Sequence, residues 1–586
     1  MIKYLSFQSA LALTLAFCFA LVASSSAAPP ENKNEDKKDD VLLSTMQQEL
    51  QRAHDAFAQL DPAPYFLSYS VQDKTIAVAL GSHGSLLNST YGRQRSADVI
   101  VRVGTPALDN AHDENRASAI TSGIIPLEDD PNAIARVLWL LSSLEYRKAS
   151  RAFANVKTKT QVHAQEEDTS PDFSQESPQI HSDYGSTAAS ADQHALEELV
   201  RQFSSHFRAY PHVYNSMVMV TVERLRKHYV SSEGTHVVTP ETMVRLTIEA
   251  ETRADDGMEL MRVETFQTES IEQLPRDTEI AARTEKMAAD LKALRSAPLA
   301  EPFDGPALLS GRASAVFFHE VLGHRLEGHR QRGEKEGQTF TKKVNQPVLP
   351  DFLSVSDDPT RRSLEGTPLS GWYEFDDEGM TATRVDVIQN GILKNFLMSR
   401  MPIKDFGKSN GHGRSQPGLM PTGRQGNLIV TSSKTIKDSE LRQKLKDEIK
   451  KQGKPYGLYF EDIQGGFTLT QRAMPQAFQI LPIMVWRVFP DDRPDELVRG
   501  VDIVGTPLAA MERILITGDK TEVFNGICGA ESGSVPVSAA APAMLFSDIE
   551  VQKRAHSSNR PPILPPPGFE NSVPPPTKTS SPGGQL

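Results

Sequence analysis

Residues 315–330, with the sequence AVFFHEVLGHRLEGHR, are the part of the chain from which the rest can be interpreted. Three apolar residues, 316–318, predict that a helix is buried where it begins. His319, Glu320 and His324 follow in the pattern H-E-x-x-x-H. Two neutral imidazoles can hold a divalent ion, and a neighbouring carboxylate can take a proton from a metal-bound water. The stretch therefore predicts a helix that carries a metal site.

The spacing of the two histidines departs from the familiar zinc motif H-E-x-x-H. Histidines four positions apart lie about 40° apart around a helix, whereas His319 and His324, five apart, are separated by about 140°. Both can face one ion only if the helix has a widened turn or ends between them. Gly323 precedes His324, and glycine tolerates such a distortion of the backbone.

Two polar residues after the motif have several possible roles. Glu327 lies three residues beyond His324, so we expect it to orient that ring, to act as a weak extra ligand, or to balance Arg325 or Arg330. His329 is predicted to lie at the surface.

The sequence from residue 296 to residue 555 predicts a β-rich domain. The segment TRVDVIQNGILKNFLMS, residues 383–399, predicts a hairpin with Asn390-Gly391 at its turn. Further strands are predicted at 427–431, 456–461, 476–489 and 511–517, with a short helix near 437–452.

The preceding residues, 41–295, predict an α+β domain with antiparallel strands, so the fold class of the whole chain is α+β. Helices are expected at 41–60, 131–153, 191–207 and 277–294. Strands are expected within 64–104 and at 214–223, 226–232, 242–251 and 259–266. Residues 157–193 contain very few apolar side chains and predict a disordered insertion.

Both ends of the chain predict segments outside the folded domains. Residues 1–27 contain one lysine, an apolar run and then small residues, which is typical of a secretory signal peptide cleaved after Ala27. A retained leader that acts as an anchor is the alternative. Residues 28–40 form a polar spacer, and residues 556–586 a Pro-rich disordered tail. We expect an exported protein, periplasmic in a cell with two membranes and secreted in a cell with one.

Composition excludes several classes of protein. The 586 residues include 63 Lys and Arg against 75 Asp and Glu, a net charge of −12, which argues against a nucleic-acid partner. No stretch after the leader is long and apolar enough for a membrane span. The two cysteines are Cys18 and Cys528, and cleavage leaves only the second. Cys528 is then a free thiol, part of an intermolecular bridge, or a ligand.

The block FFHEVLGHRLEGH, residues 317–329, resembles the signature of the TldD/PmbA metallopeptidases, in which H-E-x-x-x-H is followed by L-E-G. The resemblance continues through GLYFEDIQGG at 457–466, LVRGVDIVGTP at 497–507 and GICGAESGSVPVSAAAPAMLF at 526–546. It implies that Cys528 is the third metal ligand beside His319 and His324, and that Glu320 is the general base. Such a His₂Cys set binds one divalent ion, with Zn²⁺ expected, and leaves a position for water.

The resemblance also implies hydrolysis of short or unfolded peptides by a dimer, either homomeric or formed with a PmbA-like chain. The block SNGHGR, residues 409–414, predicts a flexible loop over the site, with His412 and Arg414 binding substrate. Gly465 and Gly466, in a predicted strand, would let a peptide backbone approach closely.

Two other functions fit the same residues. One is a non-catalytic peptide-binding or scaffold partner in a TldD/PmbA-type dimer. The other is a metal-dependent amidase that acts on a non-peptide substrate. The intact set of His319, Glu320, His324 and Cys528 favours catalysis, because a binding-only chain has no need of Glu320.

Overall fold

The structure, a computed structural model, describes residues 40–112, 120–160, 168–185, 192–332, 335–473, 477–555, 559–562 and 564–569. The predicted leader, the spacer before Asp40 and most of the predicted tail therefore lie outside the described residues. Within the described part of the chain, no helix combines the length and apolar character needed to cross a membrane.

The N-terminal half is a long, mostly antiparallel sheet flanked by helices. Its helices are α1 Val41–Phe57, α2 Pro131–Thr160, α3 Gln193–Ser205 and α4 Asp277–Ser296, with 3₁₀ turns at His206–Ala209 and Ile271–Gln273. Its strands are β1 Pro64–Ser82, β2 Ser85–Thr105, β3 Leu108–Asp109, β4 Thr121–Ile124, β5 Ile180–Ser182, β6 Asn215–Ser231, β7 His236–Arg253 and β8 Glu259–Thr268. The spatial order is β3-β2-β1-β6-β7-β5, with β4 beside β2 and β8 beside β7.

Apolar side chains hold the helices on this sheet in two clusters. Leu138 and Leu141 of α2 pack in one core with residues of α1, β1 and β2. Residues of α3 and α4 share a second core with β6 and β7. The strands predicted at 214–223 and 226–232 form the single strand β6, because the polar residues between them still pair with β1 and β7.

The prediction of disorder over 157–193 is wrong for residues 157–160, which belong to α2, for residues 168–185, and for residues 192–193, where α3 begins. The Phe173 ring is buried between the guanidinium groups of Arg102 and Arg400, 3.9 and 4.0 Å from its centroid. The Ser174 amide donates to the Arg400 carbonyl oxygen at 2.9 Å, and β5 pairs in parallel with β7. One aromatic ring stacked on two cations anchors a segment whose composition is otherwise polar. Residues 161–167 and 186–191 lie outside the described residues.

Replacing Phe173 with alanine is expected to lower the free energy of unfolding by about 3 kcal/mol, because the change empties a buried aromatic site. Urea unfolding would measure the loss. Ile180→Ala is the matched control in the same segment: its side chain is 73% exposed, so a change within about 0.5 kcal/mol is expected. Equal, small effects of both variants would show that the segment does not contribute to the core.

A buried acid on α2 makes stability depend on pH. The Glu145 carboxylate accepts a hydrogen bond from Thr121 Oγ1 at 2.7 Å, and burial raises the pKa of Glu145 to about 7. In the unfolded chain this pKa is about 4.3. The folded state therefore binds the proton more tightly, and ionisation of Glu145 removes stability as pH rises from the unfolded to the folded pKa.

We therefore expect Glu145→Gln to stabilise the protein by about 2 kcal/mol more at pH 8 than at pH 4. Urea unfolding at both pH values would measure the difference. Glu128→Gln, at an exposed position, should show no such difference. A Glu145→Gln variant whose stability tracks that of the parent at both pH values would contradict the argument.

The C-terminal half is β-rich, as predicted. Its helices are α5 Gly311–Val321, α6 Asp438–Gln452 and α7 Pro507–Glu512, with 3₁₀ turns at Gly323–Arg325 and Gly328–Gln331. Its strands are β9 Phe303–Leu309, β10 Leu353–Asp357, β11 Ser363–Leu364, β12 Thr367–Pro368, β13 Val385–Gln389, β14 Ile392–Leu393, β15 Gly413–Arg414, β16 Thr422–Gly423, β17 Asn427–Ser432, β18 Gly457–Thr468, β19 Phe478–Val488, β20 Glu496–Val498, β21 Val501–Gly505, β22 Ile514–Ala530 and β23 Gly533–Lys553.

The main sheet follows the order β14-β13-β10-β17-β23-β21-β19-β18-β9, and β9 also pairs with β23, so the last five strands close into a ring.

The predicted Asn390-Gly391 hairpin is confirmed: both residues have positive φ, 47° and 78°, as a tight turn of this kind requires. The length of β23 was not predicted, because prolines such as Pro536 and Pro542 argue against a strand.

Helix α5 packs against β18, β22 and β23. All of its residues from Ala313 to Val321 are buried, and the Phe317 ring meets those of Phe478 and Phe546 with centroids 5.6 and 5.2 Å apart. Because this helix is enclosed on every side, the polar residues at its C-terminal end lie inside the protein.

Candidate metal centre

The two histidines meet because the helix ends between them. Helix α5 ends at Val321, and the 3₁₀ turn Gly323–Arg325 follows. His319 thus lies in the last turn of the helix and His324 in the tighter turn after it, and their ring centroids are 5.0 Å apart. The prediction that the helix must end or distort between them is confirmed.

Gly323 is needed for space. A Cβ atom at this position would lie 2.0 Å from Gln425 Oε1, and the Gln425 amide donates to the His319 carbonyl oxygen at 3.4 Å. Gly323 is not among the residues with positive φ. The glycine therefore lets Gln425 lie against the turn, instead of providing an unusual backbone conformation.

Cys528 reaches the histidines from β22, close to the turn that leads into β23. Its Sγ lies 3.4 Å from His324 Nε2. One donor atom from each of His319, His324 and Cys528 lies within 4.8 Å of the other two, and all three residues are buried. The structure therefore brings together the three residues for which a ligand role was predicted.

The donor set fits a divalent ion such as zinc, for which thiolate and imidazole are the common ligands. In addition, His319 Nδ1 is buried and has no hydrogen-bond partner among the described residues. A second group, Glu327, His329 and Glu531, has similar spacing. There, however, the Arg330 guanidinium donates to Glu327 at 2.7 Å and to Glu531 at 2.8 Å, so a protein cation already neutralises that group.

The charges of the three residues favour the ligand form of the cysteine. Burial raises the pKa of the Cys528 thiol, but His324 and His319 lower it, and the result lies well below the usual range. Burial lowers the pKa of His324, whereas Cys528 and Glu327 raise it well above its usual value. The sulfur is therefore held as a thiolate, which is the form that binds metals.

Glu327 orients His324 and also balances a cation. Its Oε1 lies 3.2 Å from His324 Nδ1, and its Oε2 accepts from Arg330 Nε at 2.7 Å. Burial raises the pKa of Glu327, but His324 and Arg330 lower it to about 2. Because the Glu327 carboxylate holds Nδ1 of His324, the other ring nitrogen, Nε2, faces Cys528. Arg325, considered earlier as its partner, donates to backbone carbonyls instead.

Arg424 contacts both Cys528 and Glu327, a role that the sequence did not reveal. Its fully buried guanidinium donates to the carbonyl oxygens of Cys528 and Gly533 at 2.8 and 3.0 Å, and its Nε lies 3.5 Å from Glu327. The prediction that His329 lies at the surface is wrong: its side chain is 9% exposed and contacts Glu531. Neither position carries a local sequence signal, because both depend on contacts about a hundred residues or more away.

Glu320 lies beside the three candidate ligands. Its Oε2 is 3.9 Å from His324 Nε2, and burial raises the pKa of its carboxyl. Gly466 of β18 lies directly against it, since a Cβ atom there would be 2.8 Å from Glu320 Cγ. At Gly465, by contrast, a Cβ atom would meet open space, with no neighbouring atom within 4 Å, so its predicted role in binding a peptide stays a prediction.

The prediction that His412 and Arg414 bind substrate from a flexible loop is wrong. His412 is completely buried, with Nε2 3.3 Å from Asp357 Oδ1. Arg414 is also buried, and its Nη1 donates to the carbonyl oxygens of Gln425 and Pro536, both at 2.8 Å. The glycines of this block permit close packing instead of flexibility: a Cβ atom at Gly411 would lie 2.2 Å from the Thr381 carbonyl oxygen, and one at Gly413 would lie 2.2 Å from Glu378 Oε2.

Comparison with known proteins supports the same interpretation of this half. Residues 304–553 match the family model described as the PmbA/TldA metallopeptidase C-terminal domain. The metalloprotease TldD homologue of Buchnera aphidicola subsp. Acyrthosiphon pisum is 26% identical over 250 residues, 42% of this chain and 47% of that protein. The zinc metalloprotease TldD homologue of Saccharolobus solfataricus is 24% identical over 365 residues, 61% of this chain and 76% of that protein.

The chain spans about half the length of several curated relatives that it matches. Among solved structures, TldE from Thermococcus kodakarensis has a TM-score of 0.57 at 12% identity and covers 87% of this chain and 100% of that chain; this similarity concerns the fold alone. Fold and site together define a mixed α/β protein with a candidate metal centre in its β-rich half. The β-rich half of the chain, residues 304–553, is therefore similar to the TldD/PmbA family.

Proposed function

We propose that this protein is a metal-dependent peptidase that cleaves short or unfolded peptides, with one divalent ion, Zn²⁺, held by His319, His324 and Cys528. The observation that carries the proposal is the convergence of these three buried donors beside Glu320. Relatives with the names metalloprotease and zinc metalloprotease support it.

The chain's own residues supply the remaining parts of the reaction. When bound, the ion supplies Lewis acidity to the scissile carbonyl and to the attacking water. Glu320 acts as general base and accepts a proton from the water, and it then delivers this proton to the leaving amine. Burial raises the pKa of Glu320 above its ordinary value, which favours uptake of a proton by its carboxylate. Glu327 keeps His324 oriented throughout.

A peptide substrate has a strand edge available beside the site. Among the described strands, β22 pairs with β23 alone, and Cys528 lies in the paired segment, opposite Val535. An extended peptide can add to the other edge through main-chain hydrogen bonds. Recognition of the backbone favours broad specificity and excludes folded substrates, because their backbones are already paired.

We further propose that the chain is exported by its leader and works as a dimer, with a second copy or with a PmbA-like chain. The support for export is the three-part pattern of residues 1–27. The support for a dimer is the family resemblance.

The proposal is tested by incubating the purified protein with a mixture of unstructured peptides and sequencing the new termini. Cleavage is expected to stop after chelation and to return when Zn²⁺ is added back. A protein that binds zinc but cleaves no peptide would support the scaffold alternative. Cleavage of small amides without cleavage of any peptide would support the amidase alternative.

Alanine at Gly466 is expected to reduce kcat by about tenfold or more while the bound metal is retained, because the new methyl group would displace the Glu320 side chain. Kinetics and metal analysis of the same sample would test this. Gly465→Ala is the neighbouring control, with open space at its Cβ position, and should keep kcat. If both variants lost activity equally, the effect would come from the strand and not from Glu320.

A further inference from the structure

The outward face of α2 exposes large apolar side chains. Trp139, Leu140 and Leu144 are 45%, 49% and 41% exposed. The opposite face of the helix, with Leu138 and Leu141, is buried in the core shared with α1, β1 and β2. Exposed apolar residues clustered on one helix face, unlike scattered ones, indicate a binding surface.

The same face carries a concentration of positive charge. Arg136, Leu140, Leu144, Arg147 and Arg151 lie within an arc of about 80° at a rotation of about 100° per residue, and all five are exposed. No ion pair joins Arg136, Arg147 or Arg151 to another residue in the described part of the chain. Along the outward stripe, Leu140 and Leu144 lie between Arg136 on one side and Arg147 and Arg151 on the other.

This charge contrasts with that of the whole protein. Helix α2 contains six Lys and Arg residues, and its single acid, Glu145, is buried on the opposite face. The complete chain has a net charge of −12. A cationic face with leucines at its centre and a tryptophan beside Arg136 at its edge is complementary to a surface that combines negative charge with accessible apolar groups.

We propose that the outward face of α2 docks the protein on a membrane surface that contains acidic phospholipids. Arginines bind the headgroup phosphates, and Trp139, Leu140 and Leu144 enter the boundary between headgroups and acyl chains. Helix α1, which packs against α2, follows the predicted leader and spacer in sequence. The proposal does not depend on the peptidase activity.

The test is co-sedimentation of the full chain with vesicles of phosphatidylcholine, with and without an equal part of phosphatidylglycerol. Binding is expected to require phosphatidylglycerol and to weaken as salt is added. The triple variant Arg136→Gln/Arg147→Gln/Arg151→Gln should bind about a hundredfold more weakly at low salt. The double variant Trp139→Ala/Leu140→Ser should lose about tenfold.

The matched control is Lys444→Gln/Lys450→Gln/Lys520→Gln, which removes three exposed cations from other surfaces and should bind as the parent does. Equal binding to both kinds of vesicle, or equal losses in the two triple variants, would overturn the proposal. So would a Trp139→Ala/Leu140→Ser protein that changes its mass in light scattering but still binds vesicles, because the face would then join copies of the chain.

Discussion

Replacement of Glu320 with glutamine is expected to leave the metal bound and to reduce peptide cleavage between about 10²- and 10⁴-fold, the usual contribution of a general base. Glutamine has nearly the same shape as glutamate, but it cannot accept the proton of the attacking water. Because Glu320 is not one of the three converging donors, metal content should stay at the level of the parent. Metal analysis and single-turnover cleavage on the same preparation would measure both quantities.

His319→Ala provides the contrast, since it should lose the metal as well as the activity. Glu128→Gln, at an exposed position, controls for the loss of one carboxylate and should keep both. If Glu320→Gln cleaved peptides as well as the parent does, Glu320 would not be the base, and the proposed mechanism would fail while the metal site could still stand.

Replacement of Cys528 with serine is expected to remove most of the bound metal. The thiolate supplies the only negative charge among the three donors, and its sulfur is the soft ligand that favours zinc. The parent should gain thermal stability when Zn²⁺ is added, because the ion binds only the folded state. The Cys528→Ser variant should show little such gain, and melting curves with and without Zn²⁺ would measure it.

Ile527→Ser is the control for this variant, because Ile527 is the preceding residue of the same strand and is 52% exposed. It should bind the ion as the parent does. Alkylation gives an independent measurement: bound metal should protect Cys528 from a thiol reagent in the parent. A protein that keeps its metal while Cys528 is fully alkylated would remove this residue from the ligand set.

Local sequence rules predicted the parts of the site that depend on local geometry. The five-residue spacing of His319 and His324 requires the helix to end or distort between them, and α5 does end at Val321. The Asn390-Gly391 turn was predicted on the same basis, because positive φ at two successive residues is a local requirement. The mixed class with a β-rich C-terminal half also follows from periodicity.

The remaining features depend on contacts between distant parts of the chain. Phe173 anchors a polar segment through Arg400, more than two hundred residues away, and composition alone could not reveal that contact. His412 is buried with Nε2 3.3 Å from Asp357 Oδ1, although both of its neighbours in sequence are glycines. In β23, Pro542 lies where the ladder with β22 is irregular, between Thr517 and Thr521, whereas Pro536 is accommodated in the regular part of the ladder opposite Ile527; propensity scales do not anticipate this.

The separation of Cys528 from His324 by 204 positions has a consequence for the order of events in the cell. The sulfur is positioned by the β22–β23 hairpin, and Arg424, which lies elsewhere in the sequence, donates to the carbonyl oxygen of Cys528. In a partly folded chain, His319, His324 and Cys528 are consequently not yet close together. The proposed ion binding, and with it the proposed peptide cleavage, would therefore be confined to chains whose β-rich half has folded.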